Sequence, residues 1–546
     1  TSADGHSDAS AATRRTLDAL AAQTALDWSL SVVLIGTPDA AMEAALTAAL
    51  GPGGIGGGGR VRVLTRPAGT AVASAYAAAF EESGSPAFAF LDPGDELAPD
   101  AVARLNAALV DADVAYGDED RIGDGGDLST PVLKPDWSPE LLLSWNYVGR
   151  PLALRVAPVI AAGGIRPVHG GDWEHDLLLR VTERTMRVAH VAAVLCHRDP
   201  SPGSTTGPAA VVDALERRGD VASVHAGPIA GTWELRRAVA RHDAPVKVSA
   251  IVPFRDSTGL LRSCADALDA AVRAGGRNGE RSIDLELVLV DNGSTEPETA
   301  TLLDVLSSRP SPRVEAVVRR DDRPFNWAAL NNAAAATARG DVLLFVNDDV
   351  SGGTPGWLGR LVSQALRPEI GAVGARLVYP DGRLQHAGIV LGLAGATGHV
   401  LAGLEPGLPG YLGMAVLTRD VTAVTGACMA TRREVFTQLG GFDEELGLDF
   451  NDVDYCLRAR RRGLRVILEA GAELIHHESP SRGTSGSEET AAAFLDRWRT
   501  AVDDGDPFYN RNLSHLDFSA ALDEPGPVVA RAVGERADVL ATRSVG

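Results

Sequence analysis

Residues 345–351 read Phe-Val-Asn-Asp-Asp-Val-Ser and close an apolar run that begins at Val342. A short apolar run bounded by turn residues suits a buried parallel strand, and ligands of open α/β sheets gather at the carboxyl ends of such strands. Asn347, Asp348 and Asp349 are therefore delivered to a sheet edge where chemistry is done. Adjacent carboxylates repel unless a positive charge lies beside them, and hard oxygen ligands favour magnesium or manganese. Asn-Asp-Asp is equally good turn chemistry. This stretch alone supports a strand-ending turn and a metal-phosphate site alike.

The flanking sequence sets the fold class. Strand-like runs at 248–252, 285–290, 314–318 and 342–346 alternate with helical stretches at 260–273, 297–306 and 326–339. That alternation predicts an α/β fold, a mostly parallel sheet with helices on both faces. Upstream, 30–35, 61–64 and 88–91 also read as strands. The glycine run 51–59 lacks the lysine and strand-to-helix context of a phosphate loop and reads as a connection. Further on, 450–458 opens a helix with acids and closes it with Arg460, Arg461 and Arg462, a placement that suits the helix dipole. A strand at 465–468 and a helix at 491–502 follow.

Composition narrows the function. At 546 residues the chain suggests roughly two to four domains. Seventy-two acidic against 51 basic residues, net −21, argue against a general nucleic-acid binder and against broad attraction to anionic lipid. Cys196, Cys264, Cys428 and Cys456 lie far apart with no CxxC, so neither zinc nor a disulfide framework is indicated and a reducing cytoplasm fits. Residues 1–15 are small and polar, without a secretory signal, and read as disordered. The stretch 387–404 lacks a formal charge, but its glycines, Thr397 and His399 point to a Gly-rich loop between strands and away from a membrane span.

The two halves repeat one pattern. Arg155 lies nine residues before Gly164 and Arg432 nine before Gly441, and each double glycine leads to an acidic helix start. Asp176 precedes His197 by 21 positions and Asp454 precedes His476 by 22. Two copies of one fold are inferred. With Asp92 set against Asn347, Pro93 and Gly94 take the places of Asp348 and Asp349, and Glu174 stands opposite Asp452. The first copy is then expected to be inactive or altered, with Asp95 as the residue that would restore an acid.

The ordered segments Pro253-Phe-Arg-Asp-Ser, Asp291-Asn-Gly-Ser-Thr, Phe325-Asn-Trp-Ala-Ala-Leu-Asn-Asn, Asn347-Asp-Asp, Asn451-Asp452 and His476-His-Glu-Ser-Pro-Ser-Arg-Gly resemble family 2 glycosyltransferases of the GT-A fold. The likeness spans residues 246–485. The first half, with Lys134-Pro-Asp-Trp-Ser-Pro and Asn146-Tyr-Val-Gly, looks like the N-terminal domain of two-domain, rhamnosyltransferase-like members.

The resemblance implies two GT-A-like (Rossmann-like) domains: a degenerate one at 26–240 and a catalytic one at 246–485. A disordered segment, 1–25, precedes them and a helical C-terminal extension, 486–546, follows. It implies inverting transfer from a nucleotide-diphosphate sugar, dTDP-rhamnose among the candidates, to a glycan or lipid-linked glycan acceptor in bacterial cell-surface polysaccharide synthesis. Asp452 would act as general base, Asp349 and His476 would hold Mn2+ or Mg2+, and Pro253, Arg255, Asp291, Asn326, Asn332 and Asp348 would contact the donor.

Several of these residues have plainer readings. His477 competes with His476, since adjacent strand residues point to opposite faces. Asp291 could cap a turn, and Asn326 and Asn332 could cap or pack. Asn347 and Asn451 replace acids of the family pattern, which motivates the alternative of a degenerate glycan-binding or scaffolding protein. A sugar nucleotidyltransferase would need a basic, Gly-rich triphosphate loop that the second half lacks. The expected setting is cytoplasmic, with no transmembrane segment and no nucleic-acid partner, and compatible with peripheral contact at the inner membrane face and with a homo-oligomer.

Overall fold

The computed structural model describes residues 5–51, 55, 60–123, 128, 131–168, 170–199, 207–239, 245–274, 283–309, 311–478 and 488–522. The chain forms two compact units, residues 1–137 with 145–220 and residues 138–144 with 221–546. Most of the glycine run 51–59 and part of the segment after His477 lie outside the described residues.

The second unit is built on a ten-stranded sheet. Val314–Arg320, Ile283–Asp291, Val246–Phe254 and Val342–Val346 lie side by side and parallel. Their side chains explain this arrangement: Val342, Leu343, Leu344, Phe345 and Val346 are all at most 2% exposed, so the strand is covered on both faces. Each such side chain contributes about 1.5–3 kcal/mol on burial. Cys428–Arg432 then pairs antiparallel with Val342–Val346 and with Ile370–Val378. The strand Arg465–His476 runs parallel to Ile370–Val378. The stretch 387–404 holds a small hairpin, Ile389–Leu391 with Thr397–His399.

The boundary falls at 220/221, earlier than sequence suggested, because the hairpin Ala222–Ala226 with Trp233–Arg237 belongs to the second unit. So does the short helix Pro139–Ser144. Its Glu140 carboxylate sits 2.6 Å from Arg237 Nη1 and 2.7 Å from Arg367 Nη1, with Arg465 Nη2 at 3.3 Å. Burial alone would raise the Glu140 pKa, but the three guanidiniums overcome that and hold it well below the usual carboxylate range.

In the first unit the sheet order is Ala87–Ala89, Leu152–Arg155, Val114–Arg121, Val188–Arg198, Glu96–Leu97. Residues expected to be disordered instead form the helix Gly5–Ala21. Ala12, Leu17 and Leu20 are buried on it, and Gln23 just beyond it donates to Ala98 O at 2.8 Å. The apolar stripe was carried by alanines and two leucines, too faint to outweigh the polar residues around it. The C-terminal helix, Glu488–Asp504, is part of the second unit, with Phe494 and Trp498 buried.

The repeat is visible in each unit's own hydrogen bonds. Arg155 Nε donates to Leu109 O at 2.8 Å, beyond the helix Ala101–Ala108, and Arg432 Nη2 donates to Pro368 O at 2.9 Å, beyond the helix Trp357–Ala365. Arg180 pairs with Asp176 at 2.8 Å and donates to Ala162 O, while Arg458 pairs with Asp454 at 2.7 Å and donates to Leu439 O. Asp454 therefore pairs within its helix, four residues before Arg458.

Candidate active site

The carboxyl end of Val342–Val346 meets the end of Arg465–His476 through the pairs Val350↔His476 and Ser351↔Ile475. This register sets His476 beside Asp349, with Nε2 at 3.0 Å from the Asp349 Oδ1. His477 turns outward to Ser351 Oγ at 2.8 Å. Both Asp349 and His476 are buried. On its other ring nitrogen, His476 Nδ1 meets Gln385 Oε1 at 2.5 Å, which fixes the imidazole plane.

Asn347 fits its place better than an acid would. Its Oδ1 accepts from Trp327 Nε1 at 3.1 Å, while Nδ2 faces His476 Nε2 at 3.5 Å. An amide carries both an acceptor and a donor, whereas a carboxylate only accepts. Trp327 in turn leans on Gly426, where any Cβ would come within 2.6 Å of the indole ring.

Gly426 N–H donates to Asp452 Oδ2 at 2.8 Å, and Val453 N–H donates to Oδ1 at 2.8 Å. Asp452 is thus tied to the same glycine that seats the tryptophan of the acid–histidine centre. Burial pushes the Asp452 carboxyl above its ordinary value, only partly offset by those two amides. Phe450, at the start of this helix, has φ +63°, a left-handed conformation costly for an aromatic residue. It is held by stacking on Phe494 at 4.8 Å between ring centres and by Asp454 N–H donating to its carbonyl at 2.8 Å.

The other anticipated residues divide. Pro253 is buried near the end of Val246–Phe254 and Arg255 beyond it is exposed. Asp291 Oδ1 accepts from Ser294 N–H at 2.8 Å and Oδ2 pairs with Arg320 Nη1 at 2.8 Å, so it does shape a turn. Asn326 caps its helix, accepting from Ala329 N–H at 2.9 Å, and Asn332 exchanges hydrogen bonds with the Phe442 backbone at 2.9 Å. These contacts give Asn326 and Asn332 scaffold tasks that a donor contact would have to share. Asp348 is half-buried beside Asp349.

Sequence reasoning missed Gln385, His386 and His399. His386 Nδ1 lies 3.3 Å from His399 Nδ1, and His399 Nδ1 lies 3.3 Å from Gln385 O. Burial lowers both histidine pKa values, so both rings are neutral near pH 7. The signal was a Gln-His pair at the head of an otherwise apolar stretch, weighed only as a membrane question. Among the described residues no group of three or more His, Cys, Asp or Glu side chains is gathered tightly enough to hold a metal by itself. A site with two protein ligands suits magnesium or manganese, which keep waters and substrate phosphates in their remaining positions.

The acid–histidine pair lies at the edge of a Rossmann-like sheet, and the separately held Asp452 carboxylate is presented to the same scaffold from the start of the helix Asn451–Arg461. The family model for "Glycosyl transferase family 2" matches residues 8–163 and 249–440, and the chain belongs to that family. It is 38% identical over 478 residues to the O-antigen biosynthesis protein RfbC of Myxococcus xanthus, covering 83% of this chain and 36% of that protein. It is 30% identical over 160 residues to the N-acetylglucosaminyl-diphospho-decaprenol L-rhamnosyltransferase of Mycobacterium tuberculosis, covering 28% of this chain and 52% of that one. The chain thus spans about a third to a half of these curated relatives. Among solved structures, GalNAc-T7 with UDP, GalNAc and Mn2+ aligns at 15% identity and TM-score 0.36 over 53% of this chain and 54% of that one. No helix among the described residues is long and apolar enough to cross a membrane.

Gln385 gives a direct check on the histidine's orientation. Partners that fix a metal-bound imidazole are worth about 10–100-fold in metal affinity. Were His476 to hold Mn2+, Gln385→Ala is expected to weaken that binding by about that factor, measured by calorimetry at a temperature where the variant is shown to be folded.

Proposed function

We propose that the second unit is an inverting, divalent-metal-dependent glycosyltransferase that takes a nucleotide-diphosphate sugar and extends a bacterial surface glycan. The observation that carries this reading is the 3.0 Å approach of Asp349 to His476, on the same polar scaffold that presents Asp452. Asp349 and His476 would hold Mn2+ or Mg2+, which supplies neutralisation of the departing diphosphate. Asp452, its orientation set by two amides, removes the proton from the acceptor hydroxyl as that oxygen attacks the anomeric carbon. A single displacement inverts the configuration. Pro253, Arg255, Asp291 and Asp348 surround the donor. The O-antigen relative supports a polysaccharide acceptor, and the rhamnosyltransferase relative supports dTDP-rhamnose as the first donor to try. A hydrolysis screen across nucleotide sugars, with Mn2+ and with EDTA, tests the proposal: metal-dependent turnover of one donor is expected, and silence with every donor would favour a glycan-binding scaffold.

The first unit is proposed to be non-catalytic, for a reason different from a missing acid. Its strands pair Glu96↔His197 as the second unit pairs Val350↔His476, so Asp95, and not Gly94, stands in the place of Asp349. Five residues before Arg155 stands Arg150, where the second unit has Ala427 five before Arg432. The Arg150 guanidinium is 3% exposed and lies 3.5 Å from Asp92, 3.7 Å from Asp95 and within bonding range of Glu174. A built-in cation thus occupies the ground between the counterparts of metal ligand and base. Removing one partner of a buried charge pair costs about 3–5 kcal/mol. Arg150→Ala is expected to destabilise the first unit by about that amount in urea unfolding; an unchanged midpoint would contradict the assignment.

A further inference from the structure

We propose that the second unit carries a separate binding cleft for a neutral saccharide, formed where the hairpin Ala222–Ala226/Trp233–Arg237 faces the strand Arg465–His476. The cleft has a volume of about 360 Å³. It opens at an irregularity in the sheet: Ala375 pairs with Glu469 but Arg376 pairs with Glu473, so residues 470–472 are looped out of the ladder. Such bulges re-aim side chains beside functional sites.

Arg237 is the residue that asks for a ligand. Its side chain is 6% exposed, and Nη1 lies 2.6 Å from Glu140 Oε1. Its Nε and Nη2 have no hydrogen-bond partner among the described residues. Buried guanidinium donors are costly to leave unmet, and Glu140 already has Arg367 and Arg465, so the fold has no need of these two donors. Half-buried Trp233 adds an aromatic surface to the same wall.

Charge decides the ligand class. The lining Glu140, Glu234 and Glu473 are each ion-paired with arginines, so the cleft is balanced in charge and has no surplus cation to draw an anion. A hydroxyl both donates and accepts, so it satisfies carboxylates and guanidinium donors together, and the C–H face of a pyranose suits an indole ring. Glu473 lies three residues before His476, about 10 Å along an extended strand. Strand alternation puts the Glu473 side chain on the face opposite His476, so the cleft lies apart from the proposed transfer site. On the reading of the second unit as a glycosyltransferase, the occupant is a sugar of a long glycan chain held away from the transfer site.

The test uses the full chain without nucleotide, titrated with methyl α-rhamnoside and with maltotriose, and with methyl glucuronoside as an acidic control. Tryptophan fluorescence and saturation-transfer NMR report binding. A neutral probe is expected to saturate, with Trp233→Ala and Arg237→Lys each weakening it at least tenfold and the acidic control binding no tighter. Arg237→Lys keeps a cation beside Glu140, so a folding defect and a binding defect are told apart. The proposal is overturned if neither neutral probe binds, if both variants bind like the unaltered chain, or if the acidic probe binds tighter. Donor hydrolysis is expected to be unchanged in both variants, and that assay reports on the transferase reading independently of the cleft.

Discussion

Asp452→Asn is expected to lower kcat for transfer by about 10²–10⁴-fold, the usual contribution of a positioned general base. Folding should change only modestly, because the amide oxygen can still accept from Gly426 N–H and only the bond from the adjacent Val453 N–H is lost. The pH dependence carries the same signature. Only the ionised carboxylate can take a proton, and burial raises the Asp452 pKa above the ordinary carboxylate range. The acid limb of kcat/KM should therefore fall at a pH higher than a solvent-exposed aspartate would give. Steady-state rates from pH 4 to 8 measure this. A substituted enzyme with unchanged kcat, or a rate flat down to pH 4, would remove Asp452 from the role.

The second large effect concerns the acid–histidine pair. Asp349→Asn and His476→Ala are each expected to abolish Mn2+-dependent binding of the donor nucleotide. A metal ion supplies several kcal/mol of charge stabilisation, which corresponds to about a hundredfold or more in affinity. EDTA should silence the unaltered chain, and added Mn2+ should restore it. His477→Ala is the control: that side chain faces Ser351, and its loss should leave nucleotide binding intact. Equal losses for His476 and His477 would mean that the strand end is perturbed and no ligand has been identified. Unfolding curves recorded without metal separate lost ligation from lost stability.

The parallel half of the fold was legible because its strands are buried on both faces. Their sequences are plain apolar runs of the length a strand needs, and Val342–Val346 begins and ends where its run does. Helices with strong periodicity, such as Thr258–Ala274, were equally readable. The N-terminal helix was not, because alanine marks an apolar face only weakly. Nor was Pro139–Ser144 readable as part of the second unit, since its place depends on Glu140 reaching arginines at positions 237, 367 and 465. Ion pairs of that sequence separation leave no local pattern.

The first copy shows the same limit. Alignment by motif set Gly94 opposite Asp349, but strand register sets Asp95 there, one residue further on. A shift of one position exchanges the faces of a strand. Arg150, which stands among those acids, lies more than 50 residues from Asp92 and Asp95 and has no signature of its own.

The sequence by itself determined the α/β class, the twofold repeat and the family, and it supplied the candidate acids and histidines of the second half, from Asn347-Asp-Asp to His476. Those follow from hydrophobic period and motif order, which are local properties of the chain. Tertiary structure alone decided that His476 and not His477 faces Asp349, that Asn347 bridges Trp327 and the histidine, that Gln385 orients the ring, and that an arginine stands among the acids of the first copy. Each of these rests on strand register and on contacts between distant segments, which exist only once the sheet has closed.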